Sequence, residues 1–480
     1  MTLMRRARVA QLTLLGTAAL AAAPALADDL RGALVMAYNT NPTLQAARAS
    51  QRAVDEGVPI ARAAALPSLS GTATYSEYLH SSTASPLAPD RNLDAQANLG
   101  MPVYAGGAIK NSLRAAQTRV EAGQADLRGV ESGVFSQVVA AYMDVILAGA
   151  VVDLNKQNVQ RLEVNLQATK DRFEIGDLTR TDVAQSQSRL ALARGQTRSA
   201  QASQTAARER YIQVIGKVPE NLESPPALTG LPGSGDDAVD IALQSNPDLL
   251  AARQRSKAAG YDTAVSGAGR LPRVSVFAGA DYSDYLGSNQ IPGAAQHATT
   301  TTAGVRASIP LFQGGLPAAQ RRQAQAREGA AMEQEIGVER AVIANVRSAF
   351  AQWQAALSLT DSSQTAVDAA QLSLEGVRAE NTVGNRTILD ILNAENELLT
   401  AQVQLVTAKR NAYVAGFNLL AAMGKADAGK IGLDGGALYD PGDNYNRVKA
   451  NIWDWASDPA PTPHATRTVD SKAEDGPVNQ

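Results

Sequence analysis

The chain has 480 residues, a formal net charge of −3 and no cysteine. The lack of cysteine excludes disulfides and a lipid attached to an N-terminal cysteine, and the acidic balance gives no argument for nucleic acid binding.

The first 27 residues predict a secretory signal peptide. Three arginines precede an apolar run from Val9 to Ala23, and Ala25-Leu26-Ala27 supplies the small residues of a cleavage site. We expect Asp28 to be the mature N-terminus. Removal of the three arginines leaves 41 basic against 47 acidic residues, a net charge of −6. No later segment has 18 uninterrupted apolar residues, so the sequence predicts that any membrane crossing is made by strands.

The mature sequence repeats itself at a spacing of 205 to 208 residues. Asn41-Pro42 recurs as Asn246-Pro247, and the motif PVYAGG at 102–107 recurs as PLFQGG at 310–315. A unit of this length is too long for a solenoid repeat and indicates a duplicated domain.

The predicted domain organisation follows from this duplication. The first repeat is expected at 28–228, the second at 229–433 and a C-terminal extension at 434–480. The extension is rich in Pro, Asp, Asn and Ser, and we expect it to be largely disordered after about 457. Trp453 and Trp455 indicate one last docked segment before that tail.

Each repeat contains a predicted hairpin of alternating strands, at 67–103 and 272–311. In the first, the odd positions from Leu93 to Val103 are apolar, and the even positions from Asp94 to Gly100 are polar or glycine. About ten residues of alternating strand cross a bilayer when tilted. A hairpin of a soluble β-sandwich is the alternative that this pattern alone leaves open.

A proline-free stretch rich in good helix formers follows each Gly-Gly pair. Single breaks near Gly176 and Gly384 predict long helical hairpins at 107–216 and 315–424, with first legs of about 100 Å. In the last leg, three adjacent heptad rows are apolar. They begin at Ile391, Leu392 and Ala394. This face is too wide for a two-stranded coiled coil and predicts a helix with neighbours on both sides, as in a cylinder wall.

The repeated motif joins a strand to a helix in each half. Proline is tolerated near a strand end, and two glycines allow the change of direction. The predicted joint residues are Pro102, Gly106, Gly107, Pro310, Gly314 and Gly315.

The sequence resembles the TolC family of bacterial outer-membrane channel-tunnels from about Leu30 to Leu433. The Asn-Pro pairs, the Gly-Gly joints, the FEIG of 173–176 and above all VGNRTILDILNA at 383–394 carry this resemblance. It implies a mixed α and β fold, in which three chains give four strands each to one 12-stranded outer-membrane barrel. A periplasmic α-helical barrel continues the channel.

The resemblance also implies the function and the partners. Such a homotrimer contacts outer-membrane lipid, and a periplasmic adaptor and an inner-membrane transporter recruit it for type I protein secretion or multidrug efflux. Independently of the resemblance, four strands are too few to close a barrel, and an open edge cannot face lipid, so the chain must oligomerise.

The resemblance places a gate at the closed inner tip. The constricting pairs of relatives fall on Arg386 and Asp390 and on Thr181 and Asp182, and we expect Arg386 to bridge to Thr181 or Asp182 between the hairpins. The alternative is that Arg386 and Asp390, four residues apart, form an ordinary surface pair on one helix.

The sequence departs from the family pattern at two positions of this gate. Asn381 stands where relatives have a tyrosine, and Asn393 stands where they have a second ring aspartate. We therefore expect a lock with fewer bonds and one carboxylate ring.

The hairpin tips are the second carried-over feature. In the family they contact the adaptor, and here they contain Ile175, Gly176, Val383 and Gly384. A plain helix-turn-helix with glycine at the C-cap is the alternative.

No pattern in the sequence indicates an enzyme, a metal site or a cofactor. The three histidines, at 80, 297 and 464, lack metal-ligand spacing, and Gly314-Gly315 is not followed by the residues of a phosphate loop. A periplasmic adaptor or coiled-coil structural protein of an envelope complex is the alternative function. Such a protein would not need two membrane-length strand pairs.

Overall fold

A computed structural model describes residues 29–80, 90–288, 293, 295–433 and 438–472. The predicted signal peptide and its cleavage point lie outside the described residues. The first half contains α1 (Leu30–Thr40), α2 (Pro42–Asp55), α3 (Gly57–Ala63), β1 (Ser68–Glu77), β2 (Arg91–Ala105), α4 (Ala108–Glu174) and α5 (Arg180–Ile215). The second half contains α6 (Gly235–Ser245), α7 (Pro247–Gly267), β3 (Arg273–Asp284), β4 (His297–Ser308), α8 (Leu316–Thr382) and α9 (Ile388–Ala422). A last helix, α10 (Pro441–Val448), follows.

The two Asn-Pro pairs begin α2 and α7 in the same way. The Asn41 side-chain oxygen accepts a hydrogen bond from the backbone N–H of Thr43 at 3.0 Å, so Asn41 is the N-cap and Pro occupies the next position. Its amide donates to the carbonyl of Val214 at 2.9 Å. Asn246 caps α7 and donates to the carbonyl of Ala422 at 2.8 Å. Each pair therefore ties a short helix to the end of the returning helix.

The four strands form one antiparallel sheet in the order β1-β2-β3-β4. Leu69, Leu99, Ala278 and Ala303 pair across it in one row. Asn98, the next residue of β2, therefore lies on the opposite face. The sheet confirms the predicted alternation of an apolar and a polar face. In the described part of the chain β1 and β4 each pair on one side only.

The predicted strand bounds were wrong at two ends. The first hairpin was expected to end at Val103, but β2 continues to Ala105 and the register shifts between Pro102 and Tyr104. This bulge takes Val103 out of the predicted apolar row. β4 ends at Ser308 rather than at 311, so Pro310 lies beyond the strand.

The largest hydrophobic core lies between α1, α4, α5 and the segment after α9. Phe135, Val138 and Tyr142 of α4 are fully buried in it, with Tyr211 of α5. By length and composition alone, one window of α4 is apolar enough to cross a membrane, and 44% of that window is buried inside the chain.

The long helices set the shape of the chain. α4 and α8 have 67 residues each, so each extends about 100 Å. α5 and α9 return over 36 and 35 residues. Leu398 of α9 packs towards α8, and Leu392 packs towards α4 and α5. The prediction that this helix has neighbours on both sides is confirmed.

Candidate functional site

The site with the most specific geometry is the pair of hairpin tips, at the ends of α4 and α8 far from the sheet. Gly176 and Gly384 turn the chain in the left-handed region, with φ of +81° and +84°. Ile175 and Val383 precede them and are 80% and 70% exposed. Each tip thus presents one apolar side chain to its surroundings.

Identical capping boxes begin the two returning helices. The Thr179 side chain accepts a hydrogen bond from the N–H of Asp182 at 3.3 Å, and the Asp182 carboxylate accepts one from the N–H of Thr179 at 2.9 Å. Thr387 and Asp390 repeat this arrangement with the same two distances. The spacing Thr-x-x-Asp in the sequence indicates both caps. The family resemblance instead assigned the two aspartates to the gate.

These caps change the acidity of both aspartates. Hydrogen bonds from the Thr179 hydroxyl and backbone lower the pKa of Asp182. The backbone and then the hydroxyl of Thr387 lower the pKa of Asp390. The caps therefore stabilise the ionised form of both carboxylates.

Arg386 lies in the turn before α9 and bonds within its own hairpin. Its Nε donates to Glu380 Oε2 at 2.7 Å, and its carbonyl accepts from Asn381 Nδ2 at 2.6 Å. Since α9 begins at Ile388, Arg386 lies in the turn before the helix, and its charge, after the hydrogen bonds from Thr387, also lowers the pKa of Asp390.

The expected bridge from Arg386 to Thr181 or Asp182 is not formed within one chain. Arg386 is held by Glu380, Asp182 is engaged by its cap, and Thr181 lies exposed in the first turn of α5.

A different pair of residues joins the two hairpins near the tip. Arg189 Nη2 of α5 donates to Asn393 Oδ1 of α9 at 2.9 Å. Beside this bond, Leu392 is buried among Leu162 and Leu166 of α4 and residues of α5. Asn393, expected to replace a ring aspartate, is thus a hydrogen-bond acceptor between hairpins, a role that no local sequence motif indicates.

Glu395 is the centre of a buried polar junction. Its side chain is 1% exposed, and its carboxylate accepts from Asn165 Nδ2 of α4 at 2.9 Å and from Arg378 Nη2 of α8 at 2.8 Å. It therefore links three long helices. The sequence signal for this junction was a carboxylate on the buried face of α9, because a charge in such a position needs partners.

The strand–helix joints have the geometry that two glycines permit. Gly106 and Gly107 have φ of +63° and +83°, and Gly314 and Gly315 have +59° and +84°. A Cβ on Gly106 would lie 2.8 Å from the Cβ of Leu271, whereas a Cβ on Gly314 would meet no described atom of the chain within 4 Å. The first joint is thus packed, and the second is open within one chain.

Comparison with known proteins agrees with this architecture. The family model for outer membrane efflux proteins matches residues 33–217 and 238–425. Outer membrane efflux protein BepC of Brucella suis is 34% identical over 442 residues, which cover 92% of this chain and 95% of the relative.

The chain belongs to the outer membrane efflux protein family.

Other relatives and solved structures extend the comparison. Outer membrane protein TolC of Vibrio cholerae is 26% identical, over 83% of this chain and 91% of the relative. The alkaline protease secretion protein AprF of Pseudomonas aeruginosa is 26% identical over 78% of this chain and 80% of the relative. The VceC outer membrane protein of Vibrio cholerae superposes with a TM-score of 0.71 at 21% identity, covering 82% of this chain and 96% of that one.

Membership of the outer membrane efflux protein family confirms the central predictions. The fold is that of trimeric channels with a β-barrel and a helical tunnel, and the protein is an outer-membrane channel for efflux or secretion with a periplasmic helical extension. The family is one of transport channels, and no comparison supports the adaptor alternative.

Proposed function

We propose that this channel is the outer-membrane duct of a tripartite export assembly, recruited at its hairpin tips by a periplasmic adaptor and an inner-membrane transporter. The observation that carries the proposal is the exposure of Ile175 and Val383 at the far ends of helices of about 100 Å. Apolar side chains at such a position suit a protein partner. The cargo is set by the transporter, so a secreted protein and a small molecule are both compatible with this duct.

The internal repeat supports a specific contact between neighbouring copies. Leu271, which packs on Gly106, precedes β3, and Leu66 is its counterpart before β1. Gly314 is the counterpart of Gly106 and is open. When β4 of one copy pairs with β1 of the next, Leu66 of the second copy takes the place over Gly314 that Leu271 takes over Gly106.

A disulfide experiment tests this contact. The chain has no cysteine, so Leu66→Cys with Gly314→Cys introduces the only thiol pair. Oxidation should give covalent trimers in a denaturing gel. The matched pair Gly106→Cys with Leu271→Cys should give only monomers, because both residues belong to one chain. Monomers from both pairs, with trimers assembled, would exclude the proposed contact.

A photo-crosslinker at the tips tests the partner. We expect benzoylphenylalanine at Ile175 or Val383 to capture an adaptor in intact cells. The same group at Leu192, which is exposed along the shaft of α5, is the control. Equal capture from Leu192, or none from either tip, would argue against tip recruitment.

The proposed gate at the tips is compatible with the bonds that its residues make within one chain. Arg386 is held by Glu380 within its own turn, so its bond to Thr181 or Asp182 would form between neighbouring copies. Asp390 of each copy faces the axis as one carboxylate ring, while Asn393 is engaged by Arg189. The replacement Asp390→Ala should weaken block by multivalent cations entering at the tip, and the replacement Asp177→Ala is the matched control because Asp177 lies in the turn with Arg172.

A further inference from the structure

The C-terminal segment after α9 follows the short helices towards the sheet. Asn444 Nδ2 of α10 donates to Asp55 at the end of α2 at 2.8 Å. Five residues further, the carbonyl of Lys449 accepts from Arg62 Nη1 of α3 at 3.0 Å. Because α2 and α3 lead into β1, the chain from 444 to 449 rises towards the membrane-spanning strands.

The segment then turns back on itself. Arg447 donates to both carboxylate oxygens of Asp458, at 2.8 Å and 2.9 Å, and closes a loop over 448–457. Further on, the side chain of Thr466 lies against Gly216 at the end of α5. The turn of this loop, at 450–456, is its apex and follows directly on the contact of Lys449 with α3.

Large apolar side chains occupy this apex. Ile452, Trp453 and Trp455 are 67%, 70% and 84% exposed. They include two of the three tryptophans of the chain, and the third, Trp353, packs against a core cluster between α6 and α8. Two exposed tryptophans in one short loop need a surface to cover them.

The distance of the loop from the start of β1 indicates which surface covers the tryptophans. At most about 20 Å of chain separates Arg62 from Ser68, the first residue of β1, and the three residues from Lys449 to Ile452 span up to about 10 Å. The apex is therefore within reach of the level at which β1 begins. Tryptophan is enriched at this depth, since its ring is apolar and its N–H is polar.

We propose that Ile452, Trp453 and Trp455 form an interfacial anchor that inserts into the headgroup region of the periplasmic leaflet of the outer membrane. Arg62 and Lys449 beside it suit anionic phospholipid headgroups. The proposed anchor lies outside the residues that match the family model.

Tryptophan fluorescence of the full-length trimer in proteoliposomes tests the anchor. With Trp353→Phe, the two loop tryptophans are the only ones that emit. Phosphatidylcholine brominated near the headgroup should quench their emission, and phosphatidylcholine brominated at the acyl-chain end should quench it less. Their emission maximum should lie at shorter wavelength than that of the urea-unfolded chain. In the control with Trp453→Phe and Trp455→Phe added, the emission should disappear.

Each other outcome overturns the proposal. Emission that acrylamide quenches and brominated lipid does not would place the loop in water. Protection from both quenchers would mean that a neighbouring copy covers it. As an independent measure, Trp453→Ser with Trp455→Ser should lower the fraction of trimers that co-float with anionic vesicles when the strands have not yet inserted. Val469→Ser, another exposed tail position, should leave this fraction unchanged.

Discussion

At the scale of single residues, the junction between the two helical hairpins depends on a few polar side chains. Glu395, Asn165 and Arg378 connect α9, α4 and α8, and Arg189 with Asn393 adds a second bond nearer the tip. A buried carboxylate is costly unless its partners are in place. The junction is therefore held by bonds that must all form together.

Removal of the cationic partner should expose this cost. Arg378→Met leaves Glu395 buried with Asn165 alone, and we expect a loss of up to about 3 kcal/mol of stability, since Arg378 itself is half exposed. Urea unfolding followed by circular dichroism measures the loss. Lys409→Met, an exposed change on α9, the helix that carries Glu395, should cost little. Equal midpoints for the two variants would contradict the assigned role of Glu395.

The capping boxes predict how tip stability depends on pH. The folded-state pKa values of Asp182 and Asp390 are lowered, so their contribution is present above the unfolded value of about 3.9 and is lost as pH falls through the folded pKa. Hydrogen exchange of the two tips, corrected for intrinsic rates, should therefore accelerate below about pH 4. Asp182→Asn should remove this dependence at the first tip only, leaving the second tip as an internal control.

At the scale of elements, strand periodicity and helix length could be predicted, because they follow from alternation and from the lack of proline. The positions of bonds between elements could not. Arg386 pairs with Glu380, six residues away, whereas Arg189 reaches Asn393 across 204 residues, and no local pattern distinguishes these outcomes. The bulge at Val103 was missed for a related reason, since its cause lies in pairing with β3.

A side chain at the strand–helix joint should lower the stability of the trimer. Gly107 has φ of +83°, so Gly107→Ala should cost about 1–2 kcal/mol. Gly133→Ala inside α4 meets no neighbouring atom within 4 Å among the described residues and should be neutral or stabilising. Thermal dissociation of the trimer measures both. A lower midpoint for Gly133→Ala than for Gly107→Ala would refute this reading of the joint.

The register of the sheet assigns its lipid face. Leu99 and Val305 lie on the apolar face, and Lys at either position should block membrane assembly at a cost of ~2–4 kcal/mol. Asn98→Lys, on the opposite face, is the matched control and should assemble. Outer-membrane fractionation and heat-modifiable trimers provide the measurement, and equal defects at Leu99 and Asn98 would contradict the assigned faces.

At the scale of the whole molecule, duplication explains how one chain provides a third of a closed channel. The two halves place the same elements in the same order, so each neighbour contact within a chain predicts one between chains. α8 has few buried residues in the single chain, whereas α4 has many, as expected if α8 is covered only in the trimer. In the proposed gate, the helical tips are the narrowest part of the channel.

Single-channel conductance in planar bilayers tests this account most directly. In the proposed gate, three links of about 0.2–1 kcal/mol each hold the tips shut, so their loss would shift the closed–open balance by up to about 3 kcal/mol. We expect low conductance for wild-type trimers, and higher conductance for Arg189→Ser and for Arg386→Ser. Arg198→Ser, an exposed change on α5, should match the wild type. Assembled trimers that do not conduct, or that conduct equally in all four proteins, would contradict a channel closed at its helical tips.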